Sequence, residues 1–171
     1  MTTLYLVRHG ETVDNARQIM QGQTQGQLND EGRRQAEKLA KRLAGEHFDA
    51  IIASDLRRAV QTAEILALPH ALGVVTTPLL RERDWGDFTG RFIPDLRNEA
   101  WPPNVESLEA MMHRASQFLD LLRNDYGGQR VLAVEHGIIN KAIQAVFYGK
   151  QMSEIEKMKN AEVRILDISL N

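Results

Sequence analysis

His9 and His136 stand at comparable places in the chain, each at the end of an apolar run and each followed by a glycine. Arg8 precedes the first, so a guanidinium and an imidazole sit side by side. A cation there holds an anion, and a neutral imidazole offers a nitrogen nucleophile or base. Gly10 permits a tight turn and a close approach of backbone to a ligand. Gly137 follows His136 where a helix should begin, and helix N-termini present free N–H groups to anions.

Two strands must bring these groups together. Thr3 to Val7 and Arg130 to Glu135 are short, β-branched and apolar, the pattern of buried strands. Ligands of open α/β sheets bind outside the carboxyl ends of strands, where both histidines fall. Further strands are expected at Phe48 to Ala53, Val74 to Thr77 and Glu162 to Ile168. A polar stretch from Arg17 to Gln27 reads as loop or short irregular helix. Asn29 should cap a helix carrying Ala36, Leu39, Ala40 and Leu43 on one face, and Gly45 should end it. Ser54 should cap a second helix, from Asp55 to about Leu68, and Ser107 a third, which Gly127-Gly128 ends. Ile139, Ala142, Ile143 and Val146 should bury a helix that Gly149 stops. A short helical segment is expected near Ser153 to Met158. Strands alternating with helices predict a three-layer α/β/α sandwich with a mostly parallel central sheet.

Arg8-His9-Gly10-Glu11-Thr12, with Asn15 after it, resembles the signature of the histidine phosphatase superfamily, which includes the cofactor-dependent phosphoglycerate mutases. Ser54 to Ala63 resembles the family's second motif, in which the arginine directly before the alanine binds phosphate; here that is Arg58. Leu80 to Gly90 resembles its acidic motif, whose first acidic residue, here Glu82, is the proton donor. His136 resembles the family's second histidine, which contacts the transferring phosphoryl group. Val105-Glu106-Ser107 is similar to a Gly-Glu-Ser element of the family, with valine in place of glycine. The resemblance runs from Leu6 to about Asp167 with its elements in the family's order. It implies a phosphoglycerate mutase-like fold and a histidine-type phosphomonoesterase.

The chemistry so implied needs these residue types. A phosphate monoester is dianionic, and its transition state spreads charge over the equatorial oxygens. Arg8, Arg58, His136 and Asn15, with the Gly137 helix start, are the expected phosphate-binding set, the arginines through bidentate contacts. His9 must be neutral to attack phosphorus, and nearby arginines favour that form. Attack gives a phosphohistidine, and Glu82 protonates the leaving oxygen before activating water. No metal or other cofactor is required.

The leading expectation is therefore a metal-independent phosphatase of small phosphate monoesters. A mutase-type phosphotransferase and a non-catalytic phosphate-binding module of the same fold are the alternatives. Mutases favour a closing lid, and here only Arg91 to Asn104, rich in proline, follows the acidic motif. Arg91 and Arg97 are its candidates for gripping a substrate carboxylate. Glu135, where small or hydroxyl residues are usual before the second histidine, should point away from His136 because strands alternate faces. Glu106 reads equally as a pocket support and as a first-turn acid. Arg57, His47, His70 and His113 read as solvated or structural.

Composition bounds the rest. With 171 residues, 43% hydrophobic and 26% charged, the chain reads as a single domain, residues 1–171, of ordinary globular make-up. Its formal charge of −2 gives no reason to expect nucleic acid. No apolar run approaches the roughly 20 residues that span a bilayer, and no signal peptide is visible. The absence of cysteine fits a reducing compartment, so a cytoplasmic location is expected. The substrate, the oligomeric state (a homodimer included) and the use of a phosphorylated protein side chain stay open.

Overall fold

In the computed structural model, which describes residues 1–169, a sheet of five strands in the order β3-β2-β4-β1-β5 organises the chain. The strands are β1 (Thr2–Arg8), β2 (Ala50–Ser54), β3 (Val74–Thr77), β4 (Arg130–Glu135) and β5 (Val163–Ile168). The first four run parallel, and β5 pairs antiparallel with β1 at the edge. The helices are α1 (Val13–Arg17), α2 (Asp30–Leu43), α3 (Arg57–Ala67), α4 (Leu108–Asp125) and α5 (Gly137–Tyr148).

Side-chain alternation along the strands divides the core in two. Leu4, Leu6, Val131, Ala133, Leu166 and Ile168 point to one face, where they meet Met111, Phe118 and Leu122 of α4 and Ile139 and Ile143 of α5. Tyr5, Val7, Leu132 and Val134 point to the other, against Leu39 and Leu43 of α2 and Ala63 and Leu66 of α3. β1 and β4 are buried on both faces, which is why their sequences are continuous apolar runs. The expected three-layer sandwich is the observed one.

Several helix ends follow the sequence signals. Asn29 Oδ1 accepts from Gly32 N at 2.7 Å, Ser107 Oγ accepts from Ala110 N at 3.1 Å, and Gly149 closes α5 at φ 66°. Two segments differ. α3 begins only at Arg57, with Leu56 as an N-cap lacking a side-chain bond, because Ser54 is engaged elsewhere. The segment after α5 makes a single 3₁₀ turn, Met152–Glu154, and continues as irregular chain to β5.

Parallel pairing sets the site. The register places Arg8 beside Glu135, and His9 N donates to the Glu135 carbonyl at 3.0 Å. The two histidines therefore leave adjacent strands at the same sheet edge, as do Ser54 after β2 and Glu82 after β3. Gly10 makes its close approach to backbone rather than to a ligand. A Cβ there would lie 2.5 Å from the Gly32 carbonyl oxygen, so the first turn of α2 is wedged under the loop that carries His9. Among the described residues no helix is long and apolar enough to cross a membrane.

Candidate active site

Arg8, His9, Asn15, Arg58, Glu82 and Gly137 line one cleft of about 260 Å³ at the carboxyl edge of the sheet. His136 lies behind its wall, fully buried, with its ring centroid 5.0 Å from that of His9. The sequence-derived residues thus come together from five separate segments.

His9 is held in a reactive form. Its Nδ1 lies 2.7 Å from the Gly10 carbonyl oxygen, which assigns the proton to Nδ1 and leaves the Nε2 lone pair free. Burial pushes the imidazole well below its usual pKa, Arg58 and Arg8 push it further, and the Gly10 carbonyl opposes them in part. His9 is therefore neutral at physiological pH. Burial likewise holds His136 well below the usual range, reinforced by Arg58, His9, Arg8 and Arg114. His136 Nε2 is 2.8 Å from Ser54 Oγ, which also accepts from Leu56 N at 3.2 Å. With the Ser54 hydroxyl donating to Nε2, Nδ1–H of His136 becomes a donor, and it is buried without a partner. Ser54 is a site residue that the sequence disguised as a helix cap.

The two arginines are anchored differently. Arg8 gives Nη1 to the Met158 carbonyl at 2.7 Å, while its Nε is buried and unpartnered. That guanidinium lies against the start of α5, where a Cβ at Gly137 would be in van der Waals contact with it. Arg58, only 1% exposed, spends Nη1 on the Thr24 carbonyl (2.6 Å) and Nη2 on the Gly22 carbonyl (2.7 Å). The polar loop before α2 folds over it, so Nε is unpartnered and Nη2 keeps a second N–H beside it. Burial pushes its pKa down to about 10, which keeps it cationic at neutral pH. Buried donors without partners are rare. Here Arg8 Nε, Arg58 Nε and His136 Nδ1 belong to residues grouped around His9, and an oxyanion would satisfy them.

Glu82 reaches the site from the segment after β3. His136 caps α5 by backbone only, and the Glu82 carboxylate completes the cap, accepting from Ile138 N (3.1 Å) and Ile139 N (3.2 Å). Arg114 of α4 fixes this segment, a role its sequence position did not reveal. It donates to the carbonyls of Leu79 and Arg81 at 2.9 Å each and pairs with Glu106 at 2.9 Å. Glu106 in turn accepts from Asp84 N at 3.0 Å, so it is a support of the pocket rather than a free first-turn acid. Asn15 closes a capping box with Thr12 at the start of α1, and its amide nitrogen is left without a partner beside the cleft.

Other residues fall outside the cleft. Arg57 is exposed, His47 bonds Asp49 at 2.8 Å on the surface, His70 packs edge-on against Phe48, and His113 is exposed. Arg91 is tied to Glu99 at 2.7 Å, and Arg97 lines a neighbouring groove with Trp85, Phe88 and Trp101. Neither grips a group in the cleft. Among the described residues no three His, Asp or Glu side chains gather as a metal site would require.

Residues 4–171 match the histidine phosphatase superfamily (branch 1). The chain belongs to that superfamily. It is 38% identical over 141 residues to an uncharacterized phosphatase, PhoE, of Bacillus subtilis, covering 80% of this chain and 72% of that one. It is 33% identical over 181 residues to phosphoglycerate mutase-like protein 4 of Arabidopsis thaliana, covering 95% and 77%. The solved structure of Bacillus stearothermophilus YhfR superposes with a TM-score of 0.92 at 29% identity, covering 99% of this chain and 92% of that one. This histidine phosphatase is thus an enzyme of the phosphatase or mutase type.

Glu135, the last residue of β4, directly precedes His136. It shares the strand face of Val131 and Ala133, is fully buried, and does not line the cleft. Neither carboxyl oxygen has a hydrogen-bond partner, and burial pushes its pKa well above the usual range, eased slightly by the Val7 backbone. A raised folded-state pKa gives stability that is complete below the unfolded value and is lost as pH rises toward the folded one. Glu135→Met is therefore expected to raise the melting temperature at pH 8 and to lose that advantage toward pH 4.5. Every tenfold weakening of the carboxyl as an acid is worth about 1.4 kcal/mol, or about 3–6 °C in a chain of this size. Thermal melts across that pH range check it, and a difference independent of pH would rule out an ionisation effect.

Proposed function

We propose that the protein is a metal-independent phosphatase that hydrolyses small phosphate monoesters through a phosphohistidine on His9. The observation that carries this reading is the set of unpartnered buried donors, Arg8 Nε, Arg58 Nε and His136 Nδ1, gathered around an imidazole whose Nε2 is free. The phosphate sits among these donors with the Asn15 amide and the Gly137 end of α5 completing its shell. Nε2 of His9 attacks phosphorus as the P–O bond to the alcohol breaks, and Glu82 delivers a proton to the departing oxygen. A water molecule then gives its proton to Glu82 and its oxygen to phosphorus, which frees His9 and releases inorganic phosphate.

Water as acceptor is favoured by the cover over the cleft. The segment 91–104 contributes only Ile93 to the lining and folds as a 3₁₀ turn, Ile93–Leu96, beside it. A mutase must shield its phosphohistidine from water while an intermediate reorients, and this cover is small for that task. Purified protein is expected to release phosphate from p-nitrophenyl phosphate in the presence of EDTA and without any bisphosphorylated primer. Interconversion of 2- and 3-phosphoglycerate much faster than phosphate release would establish the mutase reading instead. Loss of activity to chelator, restored by one divalent ion, would refute metal independence.

A further inference from the structure

Two cations in the cleft are left over once the phosphoryl-binding groups have been assigned. Lys141, one turn along α5 from Gly137 and Ile138, and Lys157, in the irregular segment before β5, both line it. Neither has an ion-pair or hydrogen-bond partner among the described residues. The charges that bear on His9 and His136 come from Arg58, Arg8 and Arg114, and neither lysine is among them. Lys141 is half-buried and Lys157 exposed, which puts the pair at the mouth and the arginines at the floor. The position of Lys157 is fixed from the floor as well. The next residue, Met158, is buried and accepts Arg8 Nη1, and Asn160 Nδ2 donates to the His9 carbonyl at 3.0 Å. The lining also holds Met20, Trp85 and Ile93, which are uncharged, and Glu82 is its one carboxylate.

A chain of net charge −2 has no general reason to set four cations against one carboxylate around one small cleft. The arginines face the transferring phosphate. The lysines are the lining cations left over for a second anion, which the alcohol part of the ester can carry.

We propose that Lys141 and Lys157 form a second anion subsite, selecting phosphate monoesters whose alcohol part carries its own carboxylate or phosphate. The proposal rests on the phosphomonoesterase reading and names its substrate class. It leaves the acceptor unspecified, because the subsite grips the alcohol part whether water or a second hydroxyl takes the phosphoryl group.

Matched substrate pairs test it. 3-Phosphoglycerate differs from glycerol 3-phosphate by a carboxylate in place of a hydroxymethyl group, and propane-1,3-diol bisphosphate differs from its monophosphate by a second phosphate. Wild-type protein is expected to favour one or both doubly anionic members by about tenfold or more in kcat/KM, about 1.4 kcal/mol. The better pair tells carboxylate from phosphate. Lys141→Met with Lys157→Met is expected to erase that preference, chiefly through KM, while p-nitrophenyl phosphate loses far less. Equal losses on all substrates would mean a general field rather than a subsite, and no preference in the wild type would overturn the proposal. If nothing is turned over, p-nitrophenyl phosphate included, the phosphatase reading fails. Calorimetric binding of 3-phosphoglycerate against glycerol 3-phosphate, in wild type and double variant, then still decides whether the lysines hold an anion.

Discussion

His9→Ala is expected to remove turnover by roughly four to six powers of ten, the loss seen when a covalent nucleophile is deleted. The acid-labile phosphoenzyme should vanish with it. The expectation rests on the free Nε2 created by the Nδ1 contact to Gly10. It rests also on the burial and the Arg58 and Arg8 charges that keep the ring neutral. Circular dichroism should stay native, because the loop holding residue 9 is fixed by backbone bonds to Glu135, Ala161 and Asn160. The same depressed pKa fixes a sign. A folded state that keeps His9 and His136 neutral is fully stable above the unfolded value near 6.5 and loses that stability as pH falls below it. Activity should therefore persist below pH 6 until the fold itself weakens, rather than titrate away with His9. Trapping the same acid-labile phosphohistidine in the alanine variant would reassign the nucleophile.

Sheet alternation and end signals are local, and they carried far. The apolar runs around Leu4 to Val7 and Val131 to Val134 become the two central strands, and their shared register brings His9 to His136. Asn29, Ser107 and Gly149 mark helix ends because capping needs only a side chain and its own next turn. What stayed hidden depends on partners far along the chain. Ser54 looks like a helix cap because a hydroxyl after a strand suits both tasks, and only the position of His136 decides between them. Arg114 sits among the polar residues of α4, yet its guanidinium spans the carbonyls of Leu79 and Arg81, which are distant in sequence. Lys157 and Met158 fall in the short helical segment expected from the sequence, but the chain there is irregular after Glu154, so no pattern placed them beside Arg8. The motif residue Arg58 lines the cleft, and the loop carbonyls that hold its guanidinium come from a stretch of glutamine and glycine with no pattern to read.

Glu82→Gln is expected to separate substrates by their leaving groups. The variant keeps an oxygen that can accept from Ile138 N, Ile139 N and Arg83 N, so the segment stays seated on α5 and the change removes only the exchangeable proton. Glu82 lines the cleft with Arg8, Arg58 and His9, within reach of an oxygen leaving a phosphate bound there. The proton is then available where the alcohol departs. Alkyl phosphates leave poorly without one, and their first turnover should slow by about two to four powers of ten. p-Nitrophenyl phosphate leaves as a stabilised anion, so its burst phase should fall by roughly tenfold or less. The second half-reaction also uses Glu82, as the base that draws a proton from water. In the glutamine variant the burst of nitrophenol should therefore be followed by slow release of phosphate, with phosphohistidine accumulating on His9. Rapid-quench measurements read both quantities. Equal first-turnover losses for alkyl and nitrophenyl esters, without accumulation of the phosphoenzyme, would show that Glu82 only positions the start of α5 and that the proton comes from another group.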